Sequence, residues 1–262
     1  MSKTFADCIV AVTGASTGLG RAIAQGAAAR GAEAVIINYH ANAEEADETA
    51  ALVEEAGAKA VLVRGDVGDD EDCKKIAAAA EPFGRIDALF NNAGVTAVAL
   101  DQSDLGALNS EDFMRLYRVN VVGAYQMTRG ARPLLEAAPK RAAVVNTSSI
   151  AALTGIGSSI AYAASKGALT TMTLCLARVL APKIRVNAVC PGFIDTPWFA
   201  KRLAADQMDS LRKHIKDAVP LKEASTAEDV CGAALFLASP DARHVTGETL
   251  LVDAGAHLAF SF

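Results

Sequence analysis

Seven short apolar runs, spaced by polar and helix-like stretches, constrain this chain more than any other feature. They are CIVAVT at 8–13, AVIIN at 34–38, AVLVR at 60–64, DALFN at 87–91, the run 143–146 and onward, IRVNAV at 184–189 and ETLLV at 248–252. Each has the length of a strand and is apolar at nearly every position, which fits strands buried on both faces. Helices are expected over roughly 18–30, 42–57, 70–83 and 111–137, over the segment carrying Tyr162, and around 226–238. Such alternation builds a parallel sheet with helices on both faces, wound right-handedly, with ligands at the carboxyl ends of the strands. The expected fold is α/β: one doubly wound domain, residues 1–262, around a seven-stranded parallel sheet. No linker and no internal repeat interrupts it.

Charge and cysteine usage narrow the partners. A formal charge of −5 and a pI near 5.4 argue against nucleic acid or an anionic membrane. Cys8, Cys73, Cys175, Cys190 and Cys231 are scattered, with no C-x-x-C, as buried thiols in a reducing cytoplasm would be. No zinc site is expected. The first residues lack a secretory pattern, and no segment is long and apolar enough to span a membrane.

Thr13-Gly14-Ala15-Ser16-Thr17-Gly18-Leu19-Gly20 falls between the first strand and the first helix. Missing Cβ atoms let such a loop turn tightly against a pyrophosphate, which the helix N-terminus then binds. The spacing G-x-x-x-G-x-G departs from the G-x-G-x-x-G fingerprint, so its strand-to-helix placement carries the dinucleotide (Rossmann) reading. A plain strand-to-helix turn is the alternative. At the end of the second strand an acidic residue would bind the ribose 2′-hydroxyl and repel a 2′-phosphate. Asn38-Tyr39-His40 stands there instead, so no carboxylate excludes NADP, and no neighbouring Arg or Lys is apparent to pair with its phosphate. The expectation leans to NADP(H) over NAD(H). His40 reads equally as a phosphate contact and as an exposed loop histidine.

The fifth strand ends at Ser148 and Ser149, and the helix after it carries Tyr162 and Lys166, four residues apart on one face. Moving a hydride to or from a carbinol requires moving a proton at its oxygen. A phenol with pKa near 10 must come down by about 3 units, or about 4 kcal/mol, to serve near neutrality. The Lys166 ammonium, with a bound cationic nicotinamide, is a source of that stabilisation. Ser149 is placed to hydrogen-bond the substrate oxygen.

TGxxxGxG at 13–20, Asp66-Val67, Asn91-Asn92-Ala93-Gly94, Asn120, Ser149, Tyr162-x-x-x-Lys166 and Pro191-Gly192 occur in the order of the short-chain dehydrogenase/reductase family, which the chain resembles over almost its full length. The resemblance implies Tyr162 as general acid/base, Lys166 lowering its pKa and holding the nicotinamide ribose, Ser149 orienting the carbonyl, and Asn120 fixing a relay water. It also implies Asp66 and Val67 at the adenine, Asn91 near the adenosine ribose, and Ile194 and Thr196 at the carboxamide. Ala93, Gly94, Pro191 and Gly192 would complete the cofactor crevice. Read without the family, Asn91 and Asn92 are turn or cap residues, and Asn120 a buried hydrogen-bonding residue. Two departures stand out: Thr17, where NADP-preferring members often carry a basic residue, and Ala254, where a second glycine is common. The family further implies a homotetramer, packed through the helices around 111–137 and 160–180 and through the last strand and tail.

The stretch 193–220 resembles the family's substrate-binding loop and carries Phe193, Trp198, Phe199, Leu203, Met208 and Leu211. Ile150, Ala151, Thr154 and Ile156 are expected to line the opposite wall. The segment Val95 to Ser110, with Asp101 and Asp104, reads as a solvated loop near the site. The expected activity is an NAD(P)-dependent oxidoreductase for a small-molecule carbonyl or alcohol. A cofactor-binding sensor or structural subunit without turnover is the alternative, and its weakness is the intact Asn120, Ser149, Tyr162 and Lys166 set.

Overall fold

The computed structural model describes residues 3–196 and 205–259. The seven expected strands form as β1 Ile9–Val12, β2 Ala34–Tyr39, β3 Lys59–Arg64, β4 Ala88–Asn91, β5 Ala142–Thr147, β6 Ile184–Pro191 and β7 Thr249–Val252. They form one sheet in the order β3-β2-β1-β4-β5-β6-β7, and every neighbouring pair is parallel. The chain runs outward from β1 to β3, returns beside β1, and runs outward again from β4 to β7. Adjacent loops therefore diverge between β1 and β4, and a crevice opens there at the carboxyl ends.

The two-residue period of a strand explains why the apolar runs are continuous. Val10, Val12, Val35, Ile37, Phe90 and Val145 enter one core, under α1 (Gly18–Ala28), α2 (Ala43–Glu55) and the helix Ala227–Ala238. Ile9, Ala11, Ala34, Ile36, Leu89 and Val144 enter the other, under α3 (Asp70–Ala78), α5 (Ala124–Glu136) and α7 (Ile160–Leu180). Local capping starts the helices where the sequence places them. Asn42 accepts from Glu45 N, Asp69 from Glu71 N and Asp72 N, and Thr226 forms a reciprocal capping box with Asp229. Among the described residues no helix is long and apolar enough to cross a membrane.

Two elements differ from expectation. The single helix anticipated over 111–137 is α4 (Ser110–Tyr117), a π-helical turn (Arg118–Gly123) and then α5. The wide turn carries Asn120 inward, where its Oδ1 accepts from Val95 N at 2.8 Å and its Nδ2 donates to Val95 O at 3.0 Å and Ser165 Oγ at 2.9 Å. A π turn adds one residue to the repeat and leaves residue types unchanged, so periodicity does not announce it. Within 193–220, residues Ala205–Ala218 form a helix. Met208, Leu211, Ile215 and Val219 recur at spacings of three and four, and Met208 and Val219 are buried. Trp198, Phe199 and Leu203 lie outside the described residues, as does the tail from 260 onward.

Candidate active site

Because the strands are parallel, every loop after a strand opens on one edge of the sheet, and the residues singled out by sequence gather there. At the end of β1, Gly14 has φ +60°, and a methyl group on it would lie 2.8 Å from Ala93 Cα. A methyl on Gly20 would lie 2.3 Å from Gly14 O. Neither position admits a side chain. Thr13 Oγ1 accepts from Asn92 N and Ala93 N, both at 3.0 Å, and Asn92 Nδ2 donates to Thr13 O and Gly14 O. The glycine loop and the segment after β4 are thus one bonded unit. Thr17 begins α1 without a side-chain cap, so the N–H groups of Gly18 and Leu19 stay open to an anion. Ser16 and Thr17 are half-buried along the same loop, and a methyl on Gly18 would touch Thr196 Cγ2 at 3.4 Å.

Asn38 turns inward. It is buried, its Oδ1 accepts from Gly14 N at 3.1 Å, and its Nδ2 donates to Val63 O at 3.3 Å and Gly65 O at 3.0 Å. It braces the glycine loop against β3, leaving half-buried Tyr39 and exposed His40 to face outward. Asp66 Oδ1 accepts from Gly68 N at 2.8 Å, and Val67 is buried against Gly123. Asn91 donates to Thr128 Oγ1, Asn146 Oδ1 and Ala124 O; its own Oδ1 is buried without a partner among the described residues. Pro191 and Gly192 close β6, with Ile150 N bonded to Pro191 O and Gly192 packed on Asp253. Ile194 bridges Ser225, and Thr196 follows it half-buried.

Ser159 caps α7 by accepting from Tyr162 N at 3.1 Å, which places Tyr162 in the first turn and Lys166 one turn on. Lys166 is buried; its Nζ donates to Thr147 O at 2.7 Å and lies 5.7 Å from the Tyr162 ring centroid. A methyl on Gly94 would lie 3.3 Å from Asn120 Oδ1 and 3.6 Å from Lys166 Nζ, so Gly94, Asn120 and Lys166 share one space. Ser149 Oγ accepts from Ala151 N at 3.1 Å and lies near enough to the Tyr162 phenol to draw its pKa down. Asn120, Ser149, Tyr162 and Lys166 therefore meet at one end of the crevice.

Burial dominates the electrostatics. It pushes the Tyr162 phenol up to about 12, against the nearby Ser149 hydroxyl, which draws it down. It pushes the Lys166 ammonium down to about 8. Desolvation therefore holds the phenol above its ordinary value in the chain by itself; the lowering expected from the Tyr/Lys spacing includes the positive charge of a bound nicotinamide.

The wall after Ser149 is mixed. Ala151 is buried in the short helix α6 (Ala151–Thr154), Ile150 and Thr154 are half-buried, and Ile156 is exposed. The segment 95–110 is bonded to the flank of Tyr162 through Ala99 N to Ser158 O (2.9 Å) and Gln102 Nε2 to Gly157 O (2.6 Å). Asp101 and Asp104 instead accept from Ser103 and Gly106 within their own turns. Sequence reasoning placed Thr13 in the glycine loop without giving it a partner, and singled out neither Ser165 nor the position of Arg64 beside the end of β2. Ser165 ties Asn120 to α7 by donating to Tyr162 O at 2.7 Å while accepting from Asn120. Arg64 was legible only through register, which sets it beside Tyr39.

Residues 14–257 match a family model described as enoyl-(acyl carrier protein) reductase. The 2-(R)-hydroxypropyl-CoM dehydrogenase of Xanthobacter autotrophicus is 41% identical, over 96% of this chain and 98% of that protein. A protein of Streptomyces violaceoruber, provisionally named ketoacyl reductase 2 of the granaticin polyketide synthase, is 39% identical over 95% of this chain and 96% of its own length. A solved short-chain dehydrogenase/reductase from Brucella melitensis, described as a glucose/ribitol dehydrogenase, superposes with a TM-score of 0.85 at 31% identity, covering 98% of this chain and 99% of that one. With this fold, this crevice and these relatives, the chain belongs to the short-chain dehydrogenase/reductase family of oxidoreductases, which bind NAD(P)(H).

Proposed function

We propose that the chain is an NAD(P)-dependent alcohol dehydrogenase/carbonyl reductase, preferring NADP(H), that works as a single-domain cytoplasmic homotetramer. The observation that carries this reading is the meeting of Asn120, Ser149, Tyr162 and Lys166 at the end of a crevice whose other end is a glycine loop closed to side chains. The space kept by Gly14 and Gly20 and the uncapped start of α1 suit a pyrophosphate. Gly14, Ser16, Thr17, Gly18, Leu19 and Gly20 would hold it, with Asp66, Val67 and Asn91 toward the adenosine. Ala93, Gly94, Pro191, Gly192, Ile194 and Thr196 would bound the nicotinamide. Bound there, the dinucleotide supplies or accepts the hydride.

The chain's part is the proton. With its pKa near 12, Tyr162 holds its phenolic proton at neutral pH and can give it to a carbonyl oxygen that Ser149 also contacts. As charge passes to the phenolate, the nearby Lys166 ammonium, charged below about pH 8, stabilises it. The Asn120 carboxamide is held by Val95 and Ser165, which fixes it beside Lys166 and Gly94. Exposed Phe113, Met114, Tyr117, Tyr125, Leu174 and Val179 on α4, α5 and α7 support subunit packing. One relative is named for a hydroxypropyl compound and another for a ketoacyl group, which favours ketones and secondary alcohols as substrates.

Nicotinamide absorbance against a panel of ketones and secondary alcohols is the direct assay. Tyr162→Phe is expected to lower kcat by about a hundredfold or more while nucleotide binding persists. A variant that keeps the wild-type rate would end this reading.

A further inference from the structure

We propose that Arg64, at the end of the outermost strand β3, is the residue that selects a nucleotide 2′-phosphate; the inference rests on the dinucleotide reading above. Sequence offered no cation beside Asn38-Tyr39-His40, but the fold supplies one from the next strand. Tyr39 and Arg64 are register partners, and Arg64 Nε donates to His40 O at 3.2 Å. The guanidinium therefore stands beside the end of β2, where the adenosine ribose of such a crevice presents its 2′-position.

The other cations around this end are engaged. Arg21 is held by Ser16 O at 2.7 Å, Glu45 O at 2.9 Å, Thr49 Oγ1 at 3.0 Å and the Glu48 carboxylate at 2.8 Å. Lys75 Nζ donates to Arg64 O at 3.0 Å, and Arg118 pairs with Asp66 at 3.6 Å. Arg64 makes only the Nε bond from its side chain and no ion pair among the described residues, so its two terminal nitrogens remain as a fork. That fork matches two oxygens of a phosphate. Thr17 and Asn38 provide no competing charge, and exposed His40 flanks the same spot.

Fluorescence or calorimetric titration with NADPH and NADH, on wild type, Arg64→Ala and Arg64→Lys, tests this by binding alone. Wild type should favour NADPH. Arg64→Ala should weaken NADPH about ten- to a hundredfold, the range of one charge-assisted contact, and leave NADH unchanged. Arg64→Lys should restore part of the loss. Equal weakening of both nucleotides, no weakening of NADPH, or a wild type indifferent to the 2′-phosphate would overturn the assignment. A wild type that binds neither nucleotide would overturn the crevice reading itself.

Discussion

Replacing Lys166 by Met should make the protein more stable at neutral pH while abolishing its turnover. The Lys166 ammonium is buried, has Thr147 O as its hydrogen-bond acceptor at 2.7 Å, and forms no ion pair with a carboxylate among the described residues. Burial moves its pKa from 10.5 down to about 8, a shift of about 2.5 units. At about 1.4 kcal/mol per unit, the buried charge costs about 3 kcal/mol of folding free energy at pH 7. Methionine removes that cost but leaves Thr147 O without its donor, a loss of about 1 kcal/mol. The net expectation is a gain of about 2 kcal/mol, or about 4–8 °C in Tm. The sign of the pH dependence follows from the depressed pKa. From about pH 8 the native lysine releases its proton, whereas the unfolded chain keeps it to 10.5, so wild type gains stability on the variant across that window. Urea unfolding followed by circular dichroism at pH 7 and pH 10 measures both values. A variant less stable than wild type at pH 7, or a gap that does not narrow toward pH 10, would refute the reasoning.

Two further substitutions probe the frame of the site. Asn38→Asp places a carboxylate against Val63 O and Gly65 O in a buried position, so it should cost about 3 kcal/mol or more in thermal melts. An unchanged melt with a swing toward NADH would mean that the side chain faces the nucleotide instead. Ala254 sits at φ +54°, where a non-glycine residue costs about 1–2 kcal/mol, and glycine's extra freedom in the unfolded chain returns about 0.4–1 kcal/mol of that. Ala254→Gly should therefore raise stability by about 0.5–1 kcal/mol in the same melts; a lower melting temperature would show that strain there is relieved in some other way.

What the amino-acid order determined by itself was the sheet and its working edge. Runs such as AVIIN, apolar at nearly every position, can be buried only between two helical layers. Parallel strands then send Gly14–Gly20, Asn91–Gly94, Ser149 and Gly192 to the same side. The spacing of Tyr162 and Lys166 likewise needed only the helical repeat. What tertiary structure decided was where each polar group finds its partners, because those lie far away along the chain. Asn38 meets Gly14 and Gly65, and Asn120 reaches Val95 and Ser165 only because a π turn rotates it inward. Arg64 reaches His40 through strand register, and burial outweighs proximity for Tyr162 and Lys166. Periodicity reports which face of an element is buried. Hydrogen-bond partners and desolvation depend on what the rest of the chain brings to that face.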